Sequence, residues 1–360
     1  MTIAIVGTRG VPARYGGFET FAEELGKRLA ARGHRVIVYC RRPHPQPHYL
    51  GIRVVYLPAV RHKYFETLSH TALSTLHLLA KPPDVALYCN AANAAFLLGP
   101  RLLGVPVAIN VDGLERRRRK WNRLARGWYR LSERLATLLA NEVVSDAQTI
   151  ARYYLERYGK ATRFIPYGGE VGKVTSQGQL ERLGLAPQSY FLYVSRMEPE
   201  NNALLVRRAF EQVRTDLRLV MVGDAPYARR YIAQVRDTRD PRILFPGAIY
   251  GLGYQELQSH CYAYIHATEV GGTHPALVEA MGRGALVLYL DTPENAEVAA
   301  DAGIPFRAEE LAEKLRLALA LAPAERLAYA ERAMRRVREH YDWERITDAY
   351  ERLFAELCRN

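Results

Sequence analysis

Residues 3–20 read IAIVGTRGVPARYGGFET: a short apolar run, a glycine-bearing loop and the start of an amphipathic pattern. The run Ile3–Gly7 has the length and β-branched content of a strand, whereas the apolar residues of Phe18–Arg32 recur at helical spacing. A strand that leads through a loop into a helix is the first half of a βαβ unit. This stretch therefore predicts an α/β domain with a parallel sheet.

The same alternation of apolar runs and helical patterns, for example Tyr64–Ala80, continues along the chain and restarts near residue 190. The predicted strands are Ile3–Gly7, Arg35–Cys40, Ile52–Leu57, Asp84–Cys89, Val105–Val111, Val143–Ser145, Arg163–Ile165, Tyr190–Ser195, Leu217–Val222, Ile243–Phe245, Ala263–Ala267 and Leu286–Leu290. Apolar runs without alternation indicate strands that are buried on both faces. We therefore expect two Rossmann-like α/β domains, each with a doubly wound parallel sheet, facing each other across a cleft.

A Gly- and Pro-rich segment at residues 166–172 is typical of a linker between such domains. The expected domains span residues 1–170 and 171–341, followed by a C-terminal helix at residues 342–360. One face of that helix is apolar, with Trp343, Ile346, Tyr350, Leu353 and Leu357 at helical spacing. We expect this face to pack back on the N-terminal domain.

The composition is that of a globular protein, with 49% hydrophobic and 24% charged residues among 360. The formal net charge of +12 predicts an anionic partner. Residues 1–172 carry a net charge of +14 and the remaining residues carry −2. The positive excess therefore lies in the N-terminal half.

Four cysteines, Cys40, Cys89, Cys261 and Cys358, lie far apart in the sequence. This spacing predicts neither a zinc site nor a disulfide framework. No apolar stretch approaches the length of a membrane span, and the first residues lack a cationic signal-peptide region. We expect a soluble, cytoplasmic protein.

Gly16 and Gly17 lie where the first helix is predicted to begin. Adjacent glycines let backbone N–H groups approach a phosphate closely, and a helix N-terminus favours negative charge. The spacing is not that of a dinucleotide-binding GxGxxG motif. A simple strand-to-helix turn is the alternative; the strand, loop and helix context favours phosphate contact.

A second such arrangement follows Ala263–Ala267, where Gly271-Gly272-Thr273 precedes a helix that begins near Pro275. Glu279 lies more than one turn into that helix, where a carboxylate can accept hydrogen bonds from sugar hydroxyls; a solvated helix glutamate is the alternative. Arg196 ends a parallel strand and is placed to bind phosphate. A surface ion pair with Glu198 or Glu200 is its alternative.

These motifs, in this order, resemble the retaining glycosyltransferases of the GT-B fold, and most closely the bacterial branch with rhamnosyltransferases of cell-surface polysaccharide synthesis. The matching stretches are Gly7–Pro12, Tyr15–Thr20, Val111–Glu115, Ser145-Asp146, Ile165–Gly168, Ser195–Asn202 and Val270–Met281. They run from the first predicted strand to beyond the middle of the second domain. The resemblance implies an acceptor-side N-terminal domain and a nucleotide-sugar-binding C-terminal domain.

By this resemblance, the donor diphosphate contacts the backbone of Gly16 and Gly17 and the Arg196 side chain. Glu279 binds a ribose or deoxyribose hydroxyl, and Asp112 stands where the wider family has a histidine near the acceptor. The other expected donor contacts are Asn201, Gly271, Gly272 and Thr273.

Two further departures from the family pattern concern the donor site. Asn201 stands where the family usually has a lysine, so one diphosphate cation is missing. Gly271 stands where the first of two paired glutamates is usual, and Glu269 is the nearest acidic residue. The proposed catalytic set is Asp112, Glu269 and Arg196.

The resemblance implies transfer, with retention, of a sugar from a dTDP or UDP donor to a glycan or lipid-linked acceptor; dTDP-rhamnose is the donor expected from the branch. No Asp-x-Asp motif occurs in the sequence, which favours a metal-independent site with no cofactor. Two alternatives stay open. One is a sugar-nucleotide epimerase on the same fold, and the other is a non-catalytic, glycosyltransferase-like partner protein.

A basic segment, Arg116–Arg134, runs into a cationic amphipathic pattern with two tryptophans. Its apolar stripe, Trp121, Leu124, Trp128, Leu131, Leu135 and Leu138, is expected to pack on the domain core. The arginine face then remains to contact an anionic membrane, which predicts peripheral attachment at the inner face of the plasma membrane. No recognition motif supports nucleic-acid binding.

Overall fold

A computed structural model describes residues 1–14, 16–225 and 227–359 of the chain. The chain forms two compact units. Unit 1 comprises Met1–Tyr167 together with Trp343–Asn360, and unit 2 comprises Gly168–Asp342. Within the described residues, no helix is both long enough and apolar enough to cross a membrane.

Unit 1 contains one eight-stranded sheet in the order β3-β4-β2-β1-β5-β6-β7-β8. Its strands are β1 Thr2–Val6, β2 Arg35–Cys40, β3 His48–Tyr49, β4 Ile52–Tyr56, β5 Val85–Cys89, β6 Val107–Asn110, β7 Glu142–Ser145 and β8 Arg163–Phe164. The helices between them are α1 Gly17–Ala31, α2 Glu66–Ala80, α3 Leu98–Leu102, α4 Arg123–Leu139 and α5 Gln148–Tyr158. All strand pairs are parallel except β3 with β4, so the predicted parallel sheet is confirmed. The two-residue strand β3 was not predicted.

Strand β1 shows why the apolar runs lack alternation. Ile3 and Ile5 belong to the apolar core on one face of the sheet, and Ala4 and Val6 belong to the core on the other. In register, Ile3 lies beside Val36 of β2 and Val85 of β5. Because both faces are covered, every position of the strand can be apolar.

Unit 2 contains a six-stranded, entirely parallel sheet in the order β11-β10-β9-β12-β13-β14. Its strands are β9 Tyr190–Val194, β10 Arg218–Val222, β11 Ile243–Gly247, β12 Ala263–His266, β13 Val287–Leu290 and β14 Gly303–Phe306. Its helices are α6 Gly178–Leu183, α7 Ala203–Glu211, α8 Arg229–Arg236, α9 Leu252–His260, α10 Pro275–Gly282, α11 Pro293–Ala299, α12 Leu311–Ala320 and α13 Pro323–His340. Strand β14 was not predicted because it contains Gly303 and Pro305, which weaken a strand pattern. Such residues are tolerated there because β14 is an edge strand.

The last helix, α14 Trp343–Arg359, is part of unit 1 and packs beside α1. Its buried residues Trp343, Ile346, Tyr350, Leu353 and Phe354 share an apolar cluster with side chains of α1. At the edge of this contact, Arg32 pairs with Glu344, Asp348 and Glu351 at 2.6–2.8 Å. The helix is therefore fixed to α1 by apolar packing with a rim of ion pairs.

Candidate functional site

In unit 1, a glycine and three polar residues lie where four adjacent strands end. Strands β1, β5, β6 and β7 are neighbours, and their carboxyl ends lead to Gly7, Asn90, Asp112 and Asp146. Parallel strands end at the same edge of a sheet, which is where open α/β sheets bind ligands. Gly7 has a φ of +94°, and a Cβ there would lie 2.5 Å from the carbonyl oxygen of Cys89. The β1 loop therefore lies directly against the end of β5.

The loop after β1 is held by two glutamates of α1. The Arg9 N–H donates to Glu19 Oε1 at 2.8 Å, and the Ala13 N–H donates to Glu23 Oε2 at 2.7 Å. Burial raises the pKa of Glu23. Gly16 is the N-cap of α1 and has an extended backbone conformation. Because it has no side chain, it makes no side-chain capping hydrogen bond. The predicted phosphate-contacting pair thus stands at a helix start; Tyr15, just before it, lies outside the described residues.

Beside this loop lies an ion cluster that sequence reasoning missed. Glu66, at the start of α2, pairs with Arg9 at 3.0 Å and with Arg41 at 3.6 Å. Burial and the Arg9 charge lower the pKa of Arg41. The pKa of buried His70 is lowered to about 4, first by burial and then by Arg41, so this imidazole is neutral near pH 7. The cluster joins the loops that follow β1 and β2.

Asp112 is half-buried just past β6, with a backbone φ of +55°. Its N–H donates to Asn110 Oδ1 at 3.0 Å. The pKa of Cys89 and that of Tyr167 are raised by burial and, to a smaller extent, by the Asp112 charge. The carboxylate therefore lies near the end of β5 and near the segment that follows β8.

In unit 2, Arg196 follows β9 and is partly exposed. Its guanidinium lies 4.0 Å from Glu198, at the outer limit of an ion pair. The Asn201 side-chain amide donates to the Arg196 carbonyl at 2.6 Å, and the Tyr193 hydroxyl donates to the Asn201 carbonyl at 2.6 Å. Asn201 is thus buried in the turn that carries Arg196, and its amide holds that turn in place.

Glu269 lies against the same turn. Its Oε1 accepts from the Asn202 side-chain amide at 3.0 Å, and its N–H donates to the Glu200 carbonyl at 3.0 Å. The structure therefore brings Arg196, Asn201 and Glu269 into one group. Asn202, which links them, has a φ of +60° and was not among the predicted site residues.

The glycine-rich segment after β12 leads into α10, whose N-cap is His274. A Cβ at Gly271 would lie 2.1 Å from His274 Nε2, so a larger residue at this position would displace the imidazole. The other ring nitrogen, Nδ1, lies 2.7 Å from Asn295 Oδ1. Thr273 is buried, and Gly272 lies between it and Gly271. The segment before α10 is therefore closely packed against one imidazole.

Glu279, on α10, accepts a hydrogen bond from the Tyr254 hydroxyl at 2.7 Å. Gln258 in turn donates to the same hydroxyl at 2.7 Å. Burial, followed by the Glu279 charge, raises the pKa of Tyr254 well above its usual value. Glu279 is consequently an oriented carboxylate with a fixed donor. Tyr254 lies on α9 and no sequence motif marks it.

The basic segment differs from its prediction. Leu124, Leu131 and Leu138 of α4 are 84%, 50% and 62% exposed, so the expected packing of the whole stripe on the core is wrong. The buried face of α4 instead carries Tyr129, Ser132, Glu133 and Ala136. Glu133 can be buried because Tyr153 and Tyr158 donate to it at 2.8 Å and Arg116 pairs with it at 3.2 Å.

The arginines of this segment divide into two groups. Arg116 binds Glu133, and Arg118 is buried in an ion pair with Glu115. The exposed arginines are Arg117, Arg119, Arg123, Arg126, Arg130 and Arg134. The outer face of α4 therefore carries arginines and leucines together.

Within the described ranges, no group of three or more His, Cys, Asp or Glu side chains is arranged to hold a metal ion.

Both halves of the chain match known families. Residues 16–168 match the model described as a glycosyl transferase 4-like domain, and residues 188–320 match the model described as glycosyl transferases group 1. The chain belongs to the glycosyl transferase families that these two models describe. Over 237 residues it is 28% identical to the lipopolysaccharide 1,2-N-acetylglucosaminetransferase of Salmonella typhimurium; the match covers 58% of this chain and 61% of that relative. This glycosyltransferase thus aligns with less than two thirds of the relative's length.

Solved structures share the fold of this glycosyltransferase. The sucrose-phosphate synthase of Thermosynechococcus elongatus is 20% identical, with a TM-score of 0.79 over 99% of this chain and 98% of that one. HepE of Anabaena, solved in complex with UDP-glucose, is 17% identical, with a TM-score of 0.80 over 99% and 100%. At these identities the likeness shows the fold alone. The predicted GT-B fold class, with two parallel-sheet α/β domains, is confirmed.

The Tyr254–Glu279 contact can be tested by Tyr254→Phe, which removes the hydroxyl and keeps the ring. If Glu279 binds a ribose hydroxyl, the loss of this fixed donor weakens UDP or dTDP binding about tenfold, the typical effect of a hydrogen bond to a charged group. Calorimetric titration measures it. Tyr262→Phe is the matched control, because its hydroxyl donates to Ala318 in the same unit. Equal affinity in the two variants would contradict this role of Tyr254.

Proposed function

We propose that this glycosyltransferase moves a hexosyl group from a nucleoside diphosphate sugar to a glycan or lipid-linked acceptor in surface polysaccharide or lipopolysaccharide synthesis. The Salmonella relative is named for a lipopolysaccharide sugar transfer, and HepE binds UDP-glucose, which supports this class of donor and product. The donor carries UDP or dTDP. The rhamnosyltransferase resemblance favours dTDP-rhamnose.

The observation that carries the proposal is the Arg196 turn of unit 2. Arg196 stands past the carboxyl end of β9, and its turn is fixed by the Asn201 amide and the Tyr193 hydroxyl. When the bond between the sugar and the diphosphate breaks, negative charge collects on the departing phosphate. A guanidinium held in advance near this charge stabilises the transition state. The N-terminal end of α10, after Gly271-Gly272-Thr273, supplies a favourable dipole to the same diphosphate.

The remaining site residues take roles that suit their chemistry. Glu279, oriented by Tyr254, accepts the hydroxyl of the ribose or deoxyribose. Glu269, tied to the Arg196 turn through Asn202, accepts hydroxyls of the donor sugar. In unit 1, Gly16 and Gly17 offer backbone N–H groups to the diphosphate, and Asp112 acts beside the acceptor.

We propose transfer with retention of the anomeric configuration and without a metal ion. The acceptor oxygen attacks the anomeric carbon on the face from which the nucleoside diphosphate leaves. The acceptor proton passes to the departing phosphate oxygen, and a glycoside and a nucleoside diphosphate are released. The oxocarbenium-like charge on the sugar is greatest when the bond to the diphosphate has largely broken and the bond to the acceptor oxygen has not yet formed.

A transfer assay tests this proposal with UDP-glucose, UDP-N-acetylglucosamine and dTDP-rhamnose against a panel of glycan and lipid-linked acceptors, with product anomers identified by NMR. We expect a retained anomer, no loss of rate in chelator, and a fall in kcat of about 100-fold in Arg196→Ala. Arg208→Ala, an exposed arginine of α7, is the control.

Three results of that assay would contradict the proposal. Donor turnover without acceptor, giving an epimeric sugar, indicates an epimerase. Donor binding without transfer or hydrolysis across the panel indicates a non-catalytic partner. An inverted anomer refutes retention.

We also propose that the outer face of α4 attaches the enzyme to an anionic membrane. Exposed leucines at seven-residue spacing lie on the same helix as Arg123, Arg126, Arg130 and Arg134. Arginines near an anionic surface contribute about 1 kcal/mol each, and the leucines can enter the headgroup boundary. A lipid-linked acceptor is presented at such a surface.

Flotation with phosphatidylglycerol-containing vesicles, and with phosphatidylcholine vesicles, tests the attachment at low and high salt. We expect binding to anionic vesicles that weakens with salt. Replacing Arg126 and Arg130 by Gln reduces the salt dependence, and Leu124→Ser with Leu131→Ser reduces binding severalfold. Leu327→Ser, an equally polar change at an exposed leucine of unit 2, has no effect. Binding that is indifferent to both sets of changes, or absent at low salt, would refute attachment through α4.

A further inference from the structure

A short hydrogen-bond chain joins the C-terminal helix to Asp112. The Asn110 Nδ2 donates to the Tyr350 hydroxyl oxygen at 3.0 Å. Asn110 Oδ1 accepts from the Asp112 N–H at 3.0 Å. One fully buried asparagine therefore connects a side chain of α14 to the backbone of the candidate catalytic aspartate.

The two contacts determine each other through the geometry of the amide. A planar side-chain amide cannot rotate to change one partner without moving the other. With its Nδ2 on Tyr350, Asn110 directs Oδ1 to Asp112, and with no acceptor for Nδ2 the amide loses that orientation. The Tyr350 hydroxyl thus selects the rotamer that binds Asp112.

The backbone of Asp112 depends on such support. Its φ of +55° lies in the left-handed region, which an aspartate occupies at an energetic cost. Strained residues of this kind persist when surrounding contacts hold them. The Asn110–Asp112 hydrogen bond is one of these contacts, since it fixes the N–H of the strained residue.

Tyr350 is itself rigidly placed. It is fully buried, and its ring lies 5.2 Å from Phe21 of α1 and 5.8 Å from Phe354 of its own helix. Burial raises the pKa of its hydroxyl well above the usual value, so the group stays neutral and protonated at working pH. A neutral hydroxyl on a fixed ring provides the constant acceptor that Asn110 needs.

We propose that Tyr350 is a positioning residue for sugar transfer, which acts through Asn110 to hold the Asp112 backbone where its carboxylate serves the acceptor. This inference rests on the proposed role of Asp112. The proposal gives α14 a function in unit 1, although α14 follows all of unit 2 in the sequence.

The test is Tyr350→Phe, which removes the hydroxyl and keeps the ring that packs on Phe21. We expect kcat to fall about tenfold, with little change in the KM for the donor, because the donor contacts lie elsewhere. In an Asp112→Asn background the same change causes no further loss, since the two residues act as one unit. Tyr190→Phe is the control: it loses a buried hydroxyl bond to the Leu257 carbonyl at 2.8 Å, in unit 2.

Hydrogen exchange followed by mass spectrometry gives a readout that does not depend on activity. Peptides that contain Asp112 exchange faster in Tyr350→Phe and are unchanged in Tyr190→Phe. Unchanged exchange at Asp112, or additive losses of kcat in the double variant, would overturn the positioning role. If exchange rises but Asp112→Asn keeps the wild-type kcat, the connection exists and the proposed role of Asp112 fails.

Discussion

Parallel strand order imposes the constraint on which every candidate residue depends, because all strand ends of one polarity lie at one edge of a sheet. In unit 1 this edge carries the loop that reaches Gly16 and the turn that holds Asp112. In unit 2 it carries Arg196 after β9 and the segment after β12 that leads to α10. The strand order alone therefore places residues that are far apart in the sequence at one edge of the sheet, and no direct contact between these residues is needed. The helices that cover both faces leave this edge as the place where backbone and side-chain groups can meet a ligand.

Close backbone approach is the second requirement, and glycine meets it. At Gly223, which follows β10, φ is +144° and a Cβ would lie 1.8 Å from the carbonyl oxygen of Ser195. Gly10 has a φ of +96°, and a Cβ there would lie 2.2 Å from Cys40 Sγ. Each glycine lets one loop lie directly on the end of a neighbouring strand. The turns that carry Arg9 and Arg196 are held in this way.

The fold was predictable because the strands are buried on both faces, which produces continuous apolar runs such as that of β5. The burial of α4 was not predictable from periodicity. Helical spacing shows which residues share a face, and it does not show which face is covered. Glu133 lies on the covered face because two tyrosine hydroxyls and Arg116 satisfy it, and those partners are 17 to 25 residues away in the sequence. The roles of Tyr254 and Tyr350 were not predictable for the same reason, because the hydrogen-bond partners of their hydroxyls are distant in the sequence. Arg196 and Glu279 could be proposed as site residues from the sequence because a local motif surrounds each of them.

We propose that Arg196 recognises the second phosphate of a nucleotide donor. Calorimetric titration of the wild type and of Arg196→Ala, with each nucleoside diphosphate and the matching monophosphate, tests it most directly. We expect the wild type to bind UDP or dTDP at least about tenfold more tightly than the monophosphate, and the variant to bind both about equally. An unchanged preference for the diphosphate in the variant, or no nucleotide binding by the wild type, would contradict it.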